Sequence, residues 1–111
     1  MATNYLVLGQ VNPASATATT LYTVPSATQA VVSTIAVCNQ ASASSDKIRI
    51  AVRPDGAAAS AQHYIIYDAG LQPNQTIAFT LGITLGDTDV LTVYAAETNE
   101  VSFAAFGSEI S

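Results

Sequence analysis

The chain holds one histidine, His63, and one cysteine, Cys38, so a thiol–imidazole pair is the single nucleophile–base combination open to it. Such a pair also needs a third group to orient the imidazole. The two residues fall on different strands of the pattern described below. The simpler reading makes Cys38 a small buried hydrophobe in a central strand, and His63 a surface or edge side chain beside Tyr64. Asp87 and Asp89, in Gly86-Asp87-Thr88-Asp89, look like a fragment of a calcium loop. Calcium takes roughly six to eight oxygen ligands, and this stretch lacks the closing glutamate and the fuller acidic ladder. A turn whose carboxylates bond their own backbone accounts better for it. Glu97 and Glu100 flank Asn99 in a hairpin turn and read as solvated carboxylates. Without a Cys/His cluster for zinc or a glycine-rich phosphate loop, no catalytic, cofactor or metal site is expected.

Recognition is a better use for the remaining polar residues. The three cations, Lys47, Arg49 and Arg53, all lie in one short run, and a period of two puts them on one face of a strand. Every other charged residue is acidic. A cationic stripe on an acidic chain serves either as a docking strip for an acidic neighbour or as a partner for the chain's own carboxylates. Two arginines suit bidentate carboxylate contacts in both cases. Tyr64 and Tyr67, with Ile65 and Ile66 between them, form a second contact strip or an ordinary strand buried on both faces. Lys47, Arg49, Arg53, Tyr64 and Tyr67 are the residues expected at a partner interface.

These residues are carried by strands. In Ile48-Arg49-Ile50-Ala51-Val52-Arg53 the apolar and cationic positions alternate. Residues 76–84 repeat the pattern, with Ile77, Phe79, Leu81 and Ile83 on one side of a single half-buried strand. Residues 30–38 are apolar at both parities, which predicts a central strand covered on both sides. Residues 90–95 and 101–106 add two β-branched and aromatic runs, and shorter candidates lie at 5–8, 20–24 and 63–67. Val24-Pro25-Ser26, Arg53-Pro54-Asp55-Gly56, Gln72-Pro73-Asn74 and Leu85-Gly86-Asp87 supply the turns. No window keeps helical spacing for more than one turn. Residues 57–61 favour a small-residue loop over a helical turn. The low-complexity stretches 14–20 and 39–45 read as loosely packed loops without a core anchor. About eight short strands with turns between them indicate an all-β fold. The expected form is an antiparallel β-sandwich, jelly-roll- or Ig-like, as a single domain over residues 1–111.

Composition narrows the class of function. Half of the 111 residues are hydrophobic and 10% are charged, against about 25% in an ordinary soluble domain. Disorder is excluded, since it requires low hydrophobicity and high charge. Three cations against eight acids, a net charge of −5, argue against nucleic acid as a partner. No apolar run approaches the ~20 residues of a membrane helix, so no membrane partner is expected. Residues 1–4 carry no cationic leader. One cysteine precludes an internal disulfide. Most outward positions must be Ala, Ser, Thr, Gln or Asn, whose surface is easily desolvated and loses little side-chain entropy on packing. Such a chain suits a subunit covered by other subunits, and homo-oligomerisation is expected.

Several phrases carry a resemblance. They are Leu8-Gly9-Gln10, Leu21-Tyr22-Thr23-Val24-Pro25, Val31-Val32-Ser33-Thr34-Ile35-Ala36-Val37-Cys38-Asn39, Ile50-Ala51-Val52-Arg53-Pro54, Gln62-His63-Tyr64-Ile65-Ile66-Tyr67-Asp68 and Phe106-Gly107-Ser108-Glu109-Ile110. Together they resemble small structural proteins of tailed bacteriophages, over most of the chain. The resemblance implies a compact β-sandwich in the virion, assembled in the host bacterial cytoplasm, with phage capsid protein or other virion subunits as partners. A capsid decoration or cement subunit is the first expectation, and a tail, neck or fibre-base adaptor the alternative. No catalytic residue comes with the resemblance. A glycan-binding sandwich ranks lower, because such sites present aromatic platforms and this chain has no tryptophan. Residues 1–5 are expected to form a short arm that orders on a neighbour.

Overall fold

The alternation read from the sequence closes into two sheets. A computed structural model describes residues 2–111, which form nine strands: β1 (Thr3–Val11), β2 (Thr19–Thr23), β3 (Gln29–Asn39), β4 (Asp46–Arg53), β5 (Tyr64–Leu71), β6 (Thr76–Phe79), β7 (Ile83–Leu85), β8 (Val90–Ala95) and β9 (Val101–Ile110). One sheet has the order β1-β9-β3-β6, with β7 also paired to β3, and the other has the order β2-β8-β4-β5. All pairings are antiparallel. If β6 and β7 are counted as two halves of one interrupted strand, this is the strand order of a jelly roll, a double Greek key of eight strands. Two short 3-10 turns, Pro54–Gly56 and Ala61–His63, interrupt the connection from β4 to β5.

The core lies between the sheets and is built of the inward parity of each strand. Phe103 and Ile35 from one sheet meet Ile48, Ile50 and Leu91 from the other, all essentially inaccessible to solvent. Each such side chain contributes roughly 1.5–3 kcal/mol by leaving water. Polar links join the sheets at two places: the Tyr22 hydroxyl on β2 donates to Glu109 on β9, and the Asn39 amide on β3 reaches the Leu71 carbonyl on β5. Burial, and then the adjacent carboxylate, push the Tyr22 phenol above its ordinary value.

β-Bulges explain where the structure departs from the sequence reading. On β3, Val32 stands opposite Gly107 and Thr34 opposite Phe106, so Ser33 is an extra residue and the inward parity switches there. Ala30 and Val32 face the core before the bulge, and Ile35 and Val37 after it. The strand is therefore apolar at both parities because it changes face, and its second side faces outward with Val31, Ala36 and Cys38 only half-buried. β6 pairs with residues 35–38 and β7 with residues 30–32, so the bulge splits what the pattern presents as one strand over 76–84. Gly82, at φ +63°, makes the break.

Two further expectations are corrected. Residues 3–5 are not a free arm, because they pair with Ser108, Glu109 and Ile110 of β9, while Met1 lies outside the described residues. The 39–45 loop has a firm anchor. Asn39 is fully buried, its amide donates to the carbonyls of Ser44 and Gln72, and its side-chain oxygen accepts from the N–H of Ala41, which is itself buried.

Candidate functional site

The cationic strand β4 lies inside the four-stranded sheet, between β8 and β5. Its even positions Ile48 and Ile50 enter the core, which leaves Lys47, Arg49, Ala51 and Arg53 on the outer face as the period of two requires. Arg49 Nε donates to Asp68 Oδ1 at 2.7 Å, and a second donor nitrogen reaches Oδ2 at 3.4 Å. The guanidinium is also held between two rings, 4.2 Å from the centre of Tyr67 and 4.6 Å from that of Tyr94. Arginine suits this position because its planar cation is weakly hydrated and stacks on aromatic faces. Tyr67 in turn meets Tyr64 edge to face, with ring centres 5.0 Å apart.

Two bulges on β5 assemble this group. Ala51 pairs with Tyr64 and Ile50 with Ile66, so Ile65 is an extra residue. Ile48 pairs with Ala69, which leaves both Tyr67 and Asp68 opposite Arg49, and Asp68 takes a left-handed φ of +55° to do so. In a regular strand Tyr64 and Tyr67 would point to opposite faces. Here they share one, beside an open cleft of about 550 Å³ that Ser60 and Ala61 also line. β5 is an edge strand with Tyr67 58% and Ile65 41% exposed, so it is not buried on both faces.

The structure thus brings Arg49, Tyr64 and Tyr67 together and adds Asp68 and Tyr94. Of the other two cations, Lys47 lies near enough for its charge to act on Asp68, whereas Arg53 is engaged elsewhere. Arg53 donates to Thr92 Oγ1 at 3.0 Å and to the carbonyl oxygens of Ala57 and Gly56, fastening the connection after β4. Lys47 is exposed. Tyr94 and Asp68 lacked a signal because finding them requires cross-strand register, which a single sequence does not contain. The chemistry this group offers is charge, hydrogen bonding and aromatic stacking. The Arg49 hydrogen bond, helped by its charge, holds the Asp68 carboxyl below the usual carboxylate range, and Asp68 raises the guanidinium further. Neither group is poised to exchange a proton near neutral pH.

Other polar side chains have structural duties. Asp89 accepts from the N–H groups of Gly86 and Asp55, each at 2.8 Å, which ties the turn before β8 to the one after β4. Asp46 is buried and accepts from the N–H groups of Lys47, Glu97 and Thr98, organising the β8–β9 turn. His63 Nδ1 accepts from the Ser60 N–H, in the turn before β5, while Cys38 lies in the other sheet. Among the described residues no three His, Cys, Asp or Glu side chains are grouped closely enough to hold a metal ion.

The second surface, missed by the sequence reading, is the outer face of the five-stranded sheet. Register and parity place Tyr5 and Val7 of β1, Ala104, Phe106 and Ser108 of β9, and Val31, Ser33, Ala36 and Cys38 of β3 on it, with Thr76, Ala78 and Thr84 alongside. Tyr5 is 86% exposed, and Val7 and Phe106 are exposed as well. An open depression of about 510 Å³ lies among Tyr5, Val31, Phe106 and Ser108. Among the described residues no charged side chain lies on this face, because Glu109, the one acid in its strands, points inward to Tyr22. Its signal in the sequence is the absence of charge from residues 3–11, 29–39, 76–85 and 101–108. Comparison with protein-family models, curated proteins and solved structures finds no match to this chain.

Proposed function

We propose that this chain is a non-enzymatic structural subunit of a tailed-bacteriophage particle, most simply a decoration or cement subunit that ties neighbouring shell proteins together. The observation that carries the reading is the uncharged outer face of the five-stranded sheet. Covering it strands no charge away from water, and its small side chains lose little freedom on packing. The Arg49–Tyr67–Tyr94 stack on the opposite face, with Lys47 beside it, offers a second, polar contact, as a subunit wedged between neighbours requires. The residue phrases that resemble phage structural proteins supply the kind of particle. Jelly rolls occur in viral capsids and in lectins, an analogy of fold alone. Many copies, each burying a modest interface, would bind a shell firmly through multivalency.

Particles purified from the native source test the proposal by copy number. A shell subunit is present in hundreds of copies, and a tail or neck ring in about a dozen or fewer, on grounds of closed symmetry. Failure to co-purify with any particle would overturn the reading. Phe106→Glu should empty the particle of this subunit, whereas Arg49→Glu together with Arg53→Glu should lower its occupancy less.

A further inference from the structure

The sandwich has several sheet edges, and they are treated unequally. β5 is kinked by two bulges and carries the Arg49–Asp68 pair at its side. β2 is short and bulged between Thr20 and Tyr22. β6 and β7 are shorter still. Charge, bulges and brevity are the usual means by which an edge refuses another strand. β1 differs. It runs from Thr3 to Val11 with no charged residue and no proline, pairs only with β9 among the described residues, and is regular until the bulge after Val7. Its far side presents backbone donors and acceptors that β9 does not use. Tyr5, Leu6 and Val7 are exposed in succession, so apolar side chains flank this edge on both faces of the sheet.

We propose that the edge formed by residues 3–7 of β1 pairs antiparallel with the same edge of a second copy of this chain, with Tyr5 nearest the two-fold axis. The inference deepens the structural-subunit reading by naming one neighbour. An antiparallel edge is self-complementary, so one set of residues serves both copies and the interface closes as a dimer. Charge selects the second copy as occupant. A chain of net charge −5 opposes self-association wherever its acids lie, and β1 with the sheet face beside it is where none lies. Pairing there joins two five-stranded sheets edge to edge, and the uncharged faces of the two copies become one continuous surface.

The test is sedimentation of the full chain across a concentration series. Wild type should run as a dimer, and Tyr5→Lys with Val7→Lys should weaken dimerisation at least about tenfold while the thermal midpoint holds. A monomeric wild type, or a double variant that dimerises as well as wild type, overturns the proposal. Cross-linking supplies a readout independent of that variant's folding. On a Cys38→Ser background, Tyr5→Cys should form an intermolecular disulfide under mild oxidation and Gln10→Cys, beyond the bulge, should not. Equal cross-linking at both positions, or at neither, contradicts the register. Failure here is distinguishable from failure of the function: a monomer that still occupies particles sinks only the pairing, and a dimer that never joins a particle sinks only the virion role.

Discussion

The two outer faces of this sandwich share a strand geometry and differ in chemistry. On the four-stranded sheet, the cations of β4 are largely consumed within the chain, Arg49 by Asp68 and two rings, and Arg53 by Thr92 and two carbonyls. On the outer face of the five-stranded sheet no described residue carries a charged side chain, and Tyr5, Val7 and Phe106 are exposed. A face with satisfied charges is specific and costly to desolvate, whereas a neutral face of small residues is easy to cover. The difference teaches that the conspicuous polar cluster of a protein need not be the face that is easiest to desolvate.

Substitutions can break or sharpen this contrast. The largest effect belongs to the neutral face's own construction. A Cβ at Gly107 would stand 1.9 Å from the Val31 carbonyl oxygen, where β9 passes the β3 bulge, so the strands must separate. Gly107→Ala should cost on the order of 4 kcal/mol, near the upper end for a single substitution, measured by denaturant unfolding. At one end of the opposite sheet, Asp46→Ala removes the buried carboxylate that accepts from the Lys47, Glu97 and Thr98 N–H groups, and about 3 kcal/mol should be lost.

The Tyr22–Glu109 link between the sheets is worth less. Tyr22→Phe removes one hydrogen bond to a carboxylate, about 1.5 kcal/mol. Because the Tyr22 phenol is raised in the folded state above its ordinary value of 10.0, its contribution is complete below that pH and is lost as pH rises further. Wild type should therefore lose more stability than Tyr22→Phe during an alkaline titration. The smallest effect is at the cation stack. Arg49→Ala should lower the unfolding midpoint least of these substitutions, since the pair is open to solvent. The lowered Asp68 carboxyl means that its share is present above the ordinary carboxylate range and disappears as acid protonates Asp68, a difference from Arg49→Ala that high salt should shrink.

Legibility in the sequence follows from which features need only a period of two. Lys47, Arg49 and Arg53 were placed on one face by parity alone, and the alternation of 48–53 located a half-buried strand. Bulges obey no such rule. Ser33 reverses the parity of β3, so a strand open on one side reads as buried on both. The two bulges of β5 bring Tyr64 and Tyr67 to one face against their spacing, and they set Asp68 beside Arg49. Partners across strands, such as Tyr94, depend on register. The neutral face was legible in principle as a map of where charges are missing, but drawing that map requires knowing which strands adjoin.

The central claim is that the outer face of the five-stranded sheet is covered by protein in the working form of the molecule. Hydroxyl-radical footprinting, read by mass spectrometry on the isolated dilute chain and on the chain within native particles, measures this directly. The account predicts strong loss of labelling at Tyr5, Val7 and Phe106 in the particle, with a smaller change at Tyr67. Equal labelling of Tyr5, Val7 and Phe106 in both states would contradict it.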